Sequence, residues 1–295
     1  MLNEKGPLLI ASNHPNSFLD SVIMDVLFKE PVWSLARGDA FINRFVKRTF
    51  RSLKMLPVYR TSEGVENLSE NYKTFDACIG IFKKNGIVMI FSEGKCEYEW
   101  HLRPLKKGTA RLAINAWEQQ IPLKVLPLGI NYSSFKKFGK NVFINFGAII
   151  TKSDIDMNAS EGLRHQAFNE KLKQQLEQLV FEIDKNDKVK QKELLEIKQS
   201  NVKKILLFIP AIIGWLFHAP LYYPAKAFVR NHRTLKNHYD AAMFGLLAFK
   251  YPFYILLIIL LLYFLVIKTW WLFILLLILP FTAWSYVQVK GQLDR

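Results

Sequence analysis

Three short stretches of the chain put chemically able side chains at the ends of apolar runs. The first is Asn13-His14-Pro15-Asn16-Ser17-Phe18-Leu19-Asp20, directly after the apolar run 7–12. Pro15 cannot extend a helix backwards, and Ser17 suits the N-cap of a helix that follows. His14 therefore falls at a strand-to-helix turn, where its imidazole can be reached, and Asp20 falls in the first helical turn. A carboxylate there can accept the proton of one ring nitrogen, fix the tautomer and stabilise the imidazolium that forms when histidine acts as a general base. No serine nucleophile is needed if such a base deprotonates a substrate hydroxyl directly. The same residues also fit a plainer arrangement, in which Asp20 closes a capping box on Ser17 and His14 is a loop histidine.

The other two stretches bring charge to strand ends. Ile90-Phe91-Ser92-Glu93-Gly94 ends an apolar run with a carboxylate and a glycine, and Arg103-Pro104-Leu105-Lys106-Lys107-Gly108 leads into a helical pattern. A helix start with basic residues beside it suits a phosphorylated ligand. Pro57-Val58-Tyr59-Arg60 ends another run with an arginine, a natural bidentate partner for phosphate. Singly, Arg60 and Lys107 read equally well as solvated surface charges. Together, the three strand ends form a site at the mouth of an α/β sheet, where such folds bind ligands.

These ends need strands and helices to position them. Apolar runs at 7–12, 31–36, 56–59, 86–93, 123–132 and 142–150 predict strands, and helical patterns fall around 17–29, 40–54, 65–85 and 108–119. That alternation predicts an α/β fold, a mixed sheet flanked by helices. Phe168, Leu172, Leu176, Leu179 and Ile183 form one stripe of a long helix over 160–200. The charge-dense run 184–204, a solvated helix face or linker, closes a domain of residues 1–200.

Beyond it the chain changes character. The apolar stretch 205–217 is short and broken by Pro210, which predicts an interfacial or re-entrant membrane segment within 201–250. The runs 251–267 and 269–287 are each long enough to cross a bilayer and predict a transmembrane hairpin over 251–287. Lys268 and Thr269 form its tip, Trp270 and Trp271 follow as interfacial anchors, and Pro280 kinks the second span. Arg230, Arg233, Lys236 and Lys250 flank one open end, and Lys290 and Arg295 the other. By the positive-inside rule both ends, and the α/β domain with them, face the cytoplasm. The N-terminus lacks the basic-then-apolar run of a signal peptide, so insertion falls to these spans.

The formal charge of +15 is concentrated here: residues 201–295 hold ten lysines and arginines against Asp240 and Asp294. Beside apolar spans, such charge points to anionic lipid headgroups or phosphorylated substrates and away from nucleic acid. Trp215, Phe217, Tyr222 and Tyr223 read as interface anchors, not base-stacking platforms. Cys78 and Cys96 form no CxxC pair, and His232 and His238 lack ligand partners at metal spacing, so neither a disulfide framework nor a metal site is expected. Gly86 to Gly94-Lys95 is too widely spaced for a phosphate loop, which removes nucleotide hydrolysis.

The ordered blocks NHPNSFLD, LPVYR, IFSEG, LRPLKKGTARLAINA and VLPLGI resemble the phospholipid/glycerol acyltransferase superfamily, over roughly residues 7–150. The resemblance implies a glycerolipid acyltransferase-like fold with His14 as general base and Asp20 as its orienting partner. It also implies that Arg60, Glu93 and Gly94 bind a glycerol-phosphate acceptor, with Pro127 near the site. Three positions depart from the usual pattern. The His-to-Asp spacing is one residue longer, Ser92 replaces a proline, and Cys96 stands where an arginine is usual, leaving Lys95 or Arg103 to supply that charge. The activity implied is transfer of an acyl group from acyl-CoA or acyl-carrier protein to glycerol-3-phosphate or 1-acyl-glycerol-3-phosphate, with no bound cofactor and with membrane lipids as partners. Acylation of another lysophospholipid, or an inert lipid-binding scaffold, are the alternatives.

Overall fold

The structure, a computed structural model, describes all residues except 1, 60–69, 136, 233–234, 236–237, 266–268 and 294–295. Two compact units emerge. The first comprises residues 1–131 and 142–187, and the second residues 132–141 and 188–295. The chain thus changes unit at residue 187, before the charge-dense run expected to close the first domain ends, and also lends the second unit a ten-residue excursion.

Six strands make one sheet: β1 (Leu8–Ser12), β2 (Val32–Arg37), β3 (Met55–Val58), β4 (Ile87–Phe91), β5 (Lys124–Tyr132) and β6 (Val142–Phe146), in the order β3-β2-β4-β1-β5-β6. β1 lies between β4 and β5, parallel to both, and β2 is parallel to β3 and β4. An antiparallel bridge joins Val125 to Ile150. Every residue of β1 is buried, as is β4 up to Ile90, because both faces are covered and a doubly covered strand must be apolar throughout. The covering helices are α1 (Phe18–Leu27), α2 (Arg44–Ser52), α3 (Glu70–Phe82), α4 (Gly108–Glu118) and α5 (Glu161–Leu179). Phe82, Trp117, Phe168, Leu172 and Leu176 are buried in a single core, where the Trp117 indole N–H donates to the Leu123 carbonyl at 2.9 Å.

Two helices differ from expectation. The 40–54 pattern resolves into a 3-10 turn at Gly38–Ala40 and a separate α2, which Asn43 caps by accepting from the Val46 N–H. The 160–200 helix stops at Leu179. There the side chains of Asn131 and Asn145 donate to the Leu179 carbonyl, and Asn131 accepts from the Phe181 N–H, replacing the bonds a further turn would make. Ile183, expected on the helix stripe, is instead buried in a bridge to Trp100. Gly129 lets β5 approach this helix end, since a Cβ there would collide with the Leu179 carbonyl.

The second unit holds α6 (Lys188–Leu195), α7 (Asn201–Asn231), α8 (Tyr239–Leu265) and α9 (Leu275–Val289), with a 3-10 turn at Trp270–Ile274 before α9. Among the described residues three segments are long and apolar enough to cross a membrane: Asn201–Asn231, Tyr239–Leu265 and Trp270–Val289. α8 begins well before the run at 251, because Tyr239 to Lys250 contains no proline and good helix formers surround its one glycine, Gly245. Lys268 of the expected tip, and Arg233 and Lys236 of the flank, lie outside the described residues. α7 is bent. Lys203 donates to Gln288 at 2.7 Å and Gly214 abuts the Thr282 carbonyl, but Tyr222 returns to within 6.4 Å of the Phe138 ring, whose carbonyl accepts from Lys290. Both arms of α7 therefore fall back towards the C-terminal end of α9. Pro210, Pro220 and Pro224 lie within the helix and remove backbone bonds from it, which permits the bend.

Candidate active site

The ends of β1 and β4 build the site. Beyond Ser12, the buried Asn13 side chain spans to β5, donating to the Ile130 carbonyl at 2.9 Å and accepting from the Ile130 N–H at 2.8 Å. This clamp fixes the backbone one residue before His14. The His14 ring lies flat on Phe91, the last residue of β4, with centroids 3.7 Å apart and planes 13° from parallel. Its Nδ1 meets Asp20 Oδ2 at 2.9 Å, and the same oxygen accepts the Asn16 N–H at 2.8 Å. The Asp20 side chain is fully buried, while that of His14 keeps 15% exposure. The geometry thus selects the histidine-orienting arrangement over the capping box. Ser17 precedes α1 at φ 55° with no side-chain cap bond, so the N-cap expected of it does not form.

The longer His-to-Asp spacing has a visible accommodation. Ser17 takes the left-handed φ, and its N–H donates to Cys96 Sγ at 3.0 Å. Burial pushes the Cys96 thiol up to about 12, with the Asp20 charge adding to the effect. A thiol held protonated in this way is a packing and acceptor group, not a nucleophile.

Glu93 ties the two strand ends together. Its Oε2 accepts the His14 N–H and its Oε1 the Arg103 N–H, each at 2.9 Å. Burial pushes its carboxyl up to about 7, against the downward pull of these two donors. Gly94 follows at φ 66°, a conformation that favours glycine, with Lys106 packed where a side chain would stand.

Residues 1–131 match the family model described as Acyltransferase. The first part of the chain is similar to that family. The chain is also similar to the crystal structure of the 1-acyl-sn-glycerophosphate (LPA) acyltransferase PlsC from Thermotoga maritima, at 14% identity and a TM-score of 0.39, covering 60% of this chain and 68% of that one. No curated protein sequence matches significantly.

Within the matched region, His14, Asp20, Glu93 and the Arg103 backbone form one hydrogen-bonded group. The Arg103 side chain pairs with Glu99 at 2.9 Å, and Lys95 pairs with Glu97, so both cations are engaged locally. Lys107 and Arg103 line a cleft of about 620 Å³ with His165 and Asn169 of α5, outside that group. Arg60 lies outside the described residues. Pro127 sits within β5 beside Ala11, before the strand reaches the level of His14. Sequence reasoning gives no role to Asn13 or Phe91, and reads Cys96 only as a departure from the usual pattern. The polar Asn13 at the end of a fully apolar strand is a signal for the first, whereas nothing local announces the ring stacking of Phe91. Among the described residues no cluster of metal-ligating side chains occurs.

Proposed function

We propose that the chain transfers a fatty acyl group from a thioester, acyl-CoA or acyl-carrier protein, to the hydroxyl of glycerol-3-phosphate or 1-acyl-glycerol-3-phosphate. The observation that carries this reading is the His14–Asp20 pair. With Nδ1–H donated to the buried carboxylate, the lone pair on Nε2 is the one a substrate can meet. Nε2 takes the proton of the acceptor hydroxyl, and the oxygen attacks the thioester carbonyl. As the tetrahedral intermediate collapses, the C–S bond breaks and the imidazolium returns its proton to the departing sulfur. Asp20 stabilises the imidazolium throughout.

In this scheme Glu93 and Asn13 act as positioning residues, because both hold backbone on either side of the imidazole. Arg60, Gly94, Lys95, Arg103 and Lys107 are assigned to the phosphate-bearing acceptor by the motif resemblance. The α/β domain faces the cytoplasm, where both thioester donors are made, and α8 and α9 cross the bilayer.

The deciding experiment is release of thiol from an acyl thioester by membranes carrying the protein, with glycerol-3-phosphate, lysophosphatidate and phosphate-free lysolipids supplied in turn. Release that depends on a phosphorylated acceptor supports the reading. Release with phosphate-free lysolipids alone would reassign the acceptor, and no release with any would point to an inert scaffold. Arg60→Ala is expected to raise KM for a phosphorylated acceptor while changing kcat little, since a ground-state phosphate contact binds substrate and transition state alike. An unchanged KM would remove Arg60 from the site.

A further inference from the structure

α2 is an amphipathic helix, and among the described residues half of its apolar side is left exposed. At helical spacing, Phe45, Val46, Thr49 and Phe50 share one side, continued by Leu53 at the C-cap, and Arg44, Lys47, Arg48 and Arg51 share the other, while Ile42 directly precedes the Asn43 cap. Val46 and Phe50 turn partly into the domain, where Phe50 meets the buried Phe41 edge-on. Ile42 and Phe45 are instead 76% and 79% exposed, and Leu53 is 50% exposed. No residue of α2 is buried. A soluble domain gains nothing by holding isoleucine and phenylalanine side by side in water.

We propose that α2 lies in the surface of an anionic bilayer, with Ile42, Phe45 and Leu53 inserted among the acyl chains and its four cations on the lipid phosphates. The charge decides the occupant. Arg44, Lys47, Arg48 and Arg51 carry no acidic residue among them within the helix, so a second copy of the same surface would be repelled, while an anionic leaflet is attracted. Long basic side chains that snorkel from the flank of an apolar stripe are the composition of an interfacial helix. The chain also has segments of membrane-spanning length, so a bilayer is its working environment.

The position has a bearing on the reaction. β2 runs parallel to β4, and β4 to β1, so the C-terminal end of β2 lies at the sheet edge that carries His14 and Glu93. Ile42 and Phe45 follow that end directly. An inserted α2 sets this edge of the sheet against the leaflet from which a lipid substrate or product exchanges.

Wild-type protein reconstituted in phosphatidylglycerol/phosphatidylcholine vesicles and photolabelled by a diazirine carried on a lipid acyl chain tests the proposal without altering the chain. Peptides covering 42–53 are expected to be labelled, with 239–265 as the internal positive control. In the variant R44Q/K47Q/R48Q/R51Q, labelling of 42–53 should fall by about tenfold or more, while 239–265 stays labelled, since each cation adds to attraction for an anionic surface. Unlabelled 42–53 beside a labelled 239–265 overturns insertion. Labelling that survives both the variant and pure phosphatidylcholine overturns the anionic partner. Crosslinks joining 42–53 to a second copy would assign the stripe to self-association instead.

Discussion

His14 differs from the other histidines of the first unit in having one ring nitrogen committed to a fully buried carboxylate and its backbone held by Glu93. His101 also pairs with a carboxylate, Glu182, but both partners are about half exposed. Replacing His14 by alanine is therefore expected to reduce acyl transfer by about 10²–10⁴-fold. Membrane association should be unchanged, while thermal unfolding should come at a lower temperature, because the buried Asp20 keeps the Asn16 N–H but loses its imidazole partner. Near wild-type turnover in H14A would remove it as the base. Glu93 makes a separate prediction through its proton. Its folded carboxyl sits near 7 against an ordinary value of 4.5. The folded state thus keeps a proton that the unfolded chain releases, and the associated stability is present below pH 4.5 and lost as pH rises to about 7. The loss amounts to about 3 kcal/mol at most. Unfolding followed from pH 4.5 to 8 should show a decline in the wild type that Glu93→Gln lacks. Parallel profiles for the two proteins would exclude a raised Glu93.

At the scale of elements, the strands and most helices were legible because a parallel strand covered on both faces is apolar at every position, and Leu8 to Ala11 or Ile87 to Ile90 could hardly be anything else. His14, Asp20 and Glu93 were legible by type and by their place at strand ends. Their partners were not. The sequence places Glu93 at a strand end but says nothing of the backbone N–H groups its two oxygens accept, one of them 79 positions away. Asn13 reaches 117 residues along the chain, and no periodicity records such a pairing. The end of α5 was misread for the same reason: the hydrophobic stripe continues to Ile183, while the termination is written in Asn131 and Asn145. Asn131→Ala should leave the Phe181 N–H without its acceptor and the Leu179 carbonyl with one donor fewer, destabilising the first unit by about 2 kcal/mol. Denaturant unfolding measures this, and a change within a few tenths of a kcal/mol would mean that the helix stops for another reason.

At the scale of the whole molecule, the bend of α7 separates two topologies that length alone cannot distinguish. A straight helix over 201–231 would put Ser200 and His232 on opposite faces of a bilayer, whereas a bent one returns them to the same face. With Cys78 and Cys96 replaced, single cysteines at Ser200, His232 and Gln292 should react with an impermeant reagent from the cytoplasmic side only, and one at Thr269 from the other side only. Opposite accessibility of positions 200 and 232 would establish α7 as a full span. The excursion 132–141 carries a different consequence. Its Lys137 and Lys140 pair with Leu293 and Asp240, and its Gly139 packs on Val287, all far later in the chain. Ser133 bonds Asn141 within the excursion itself, but the contacts with Asp240, Val287 and Leu293 are complete only once the last helix has left the ribosome. Stopping translation, or cutting the gene, at a single point between the units leaves that tongue stranded. Isolating the first unit as a freestanding protein requires a second operation, in which residues 132–141 give way to a tight turn between β5 and β6.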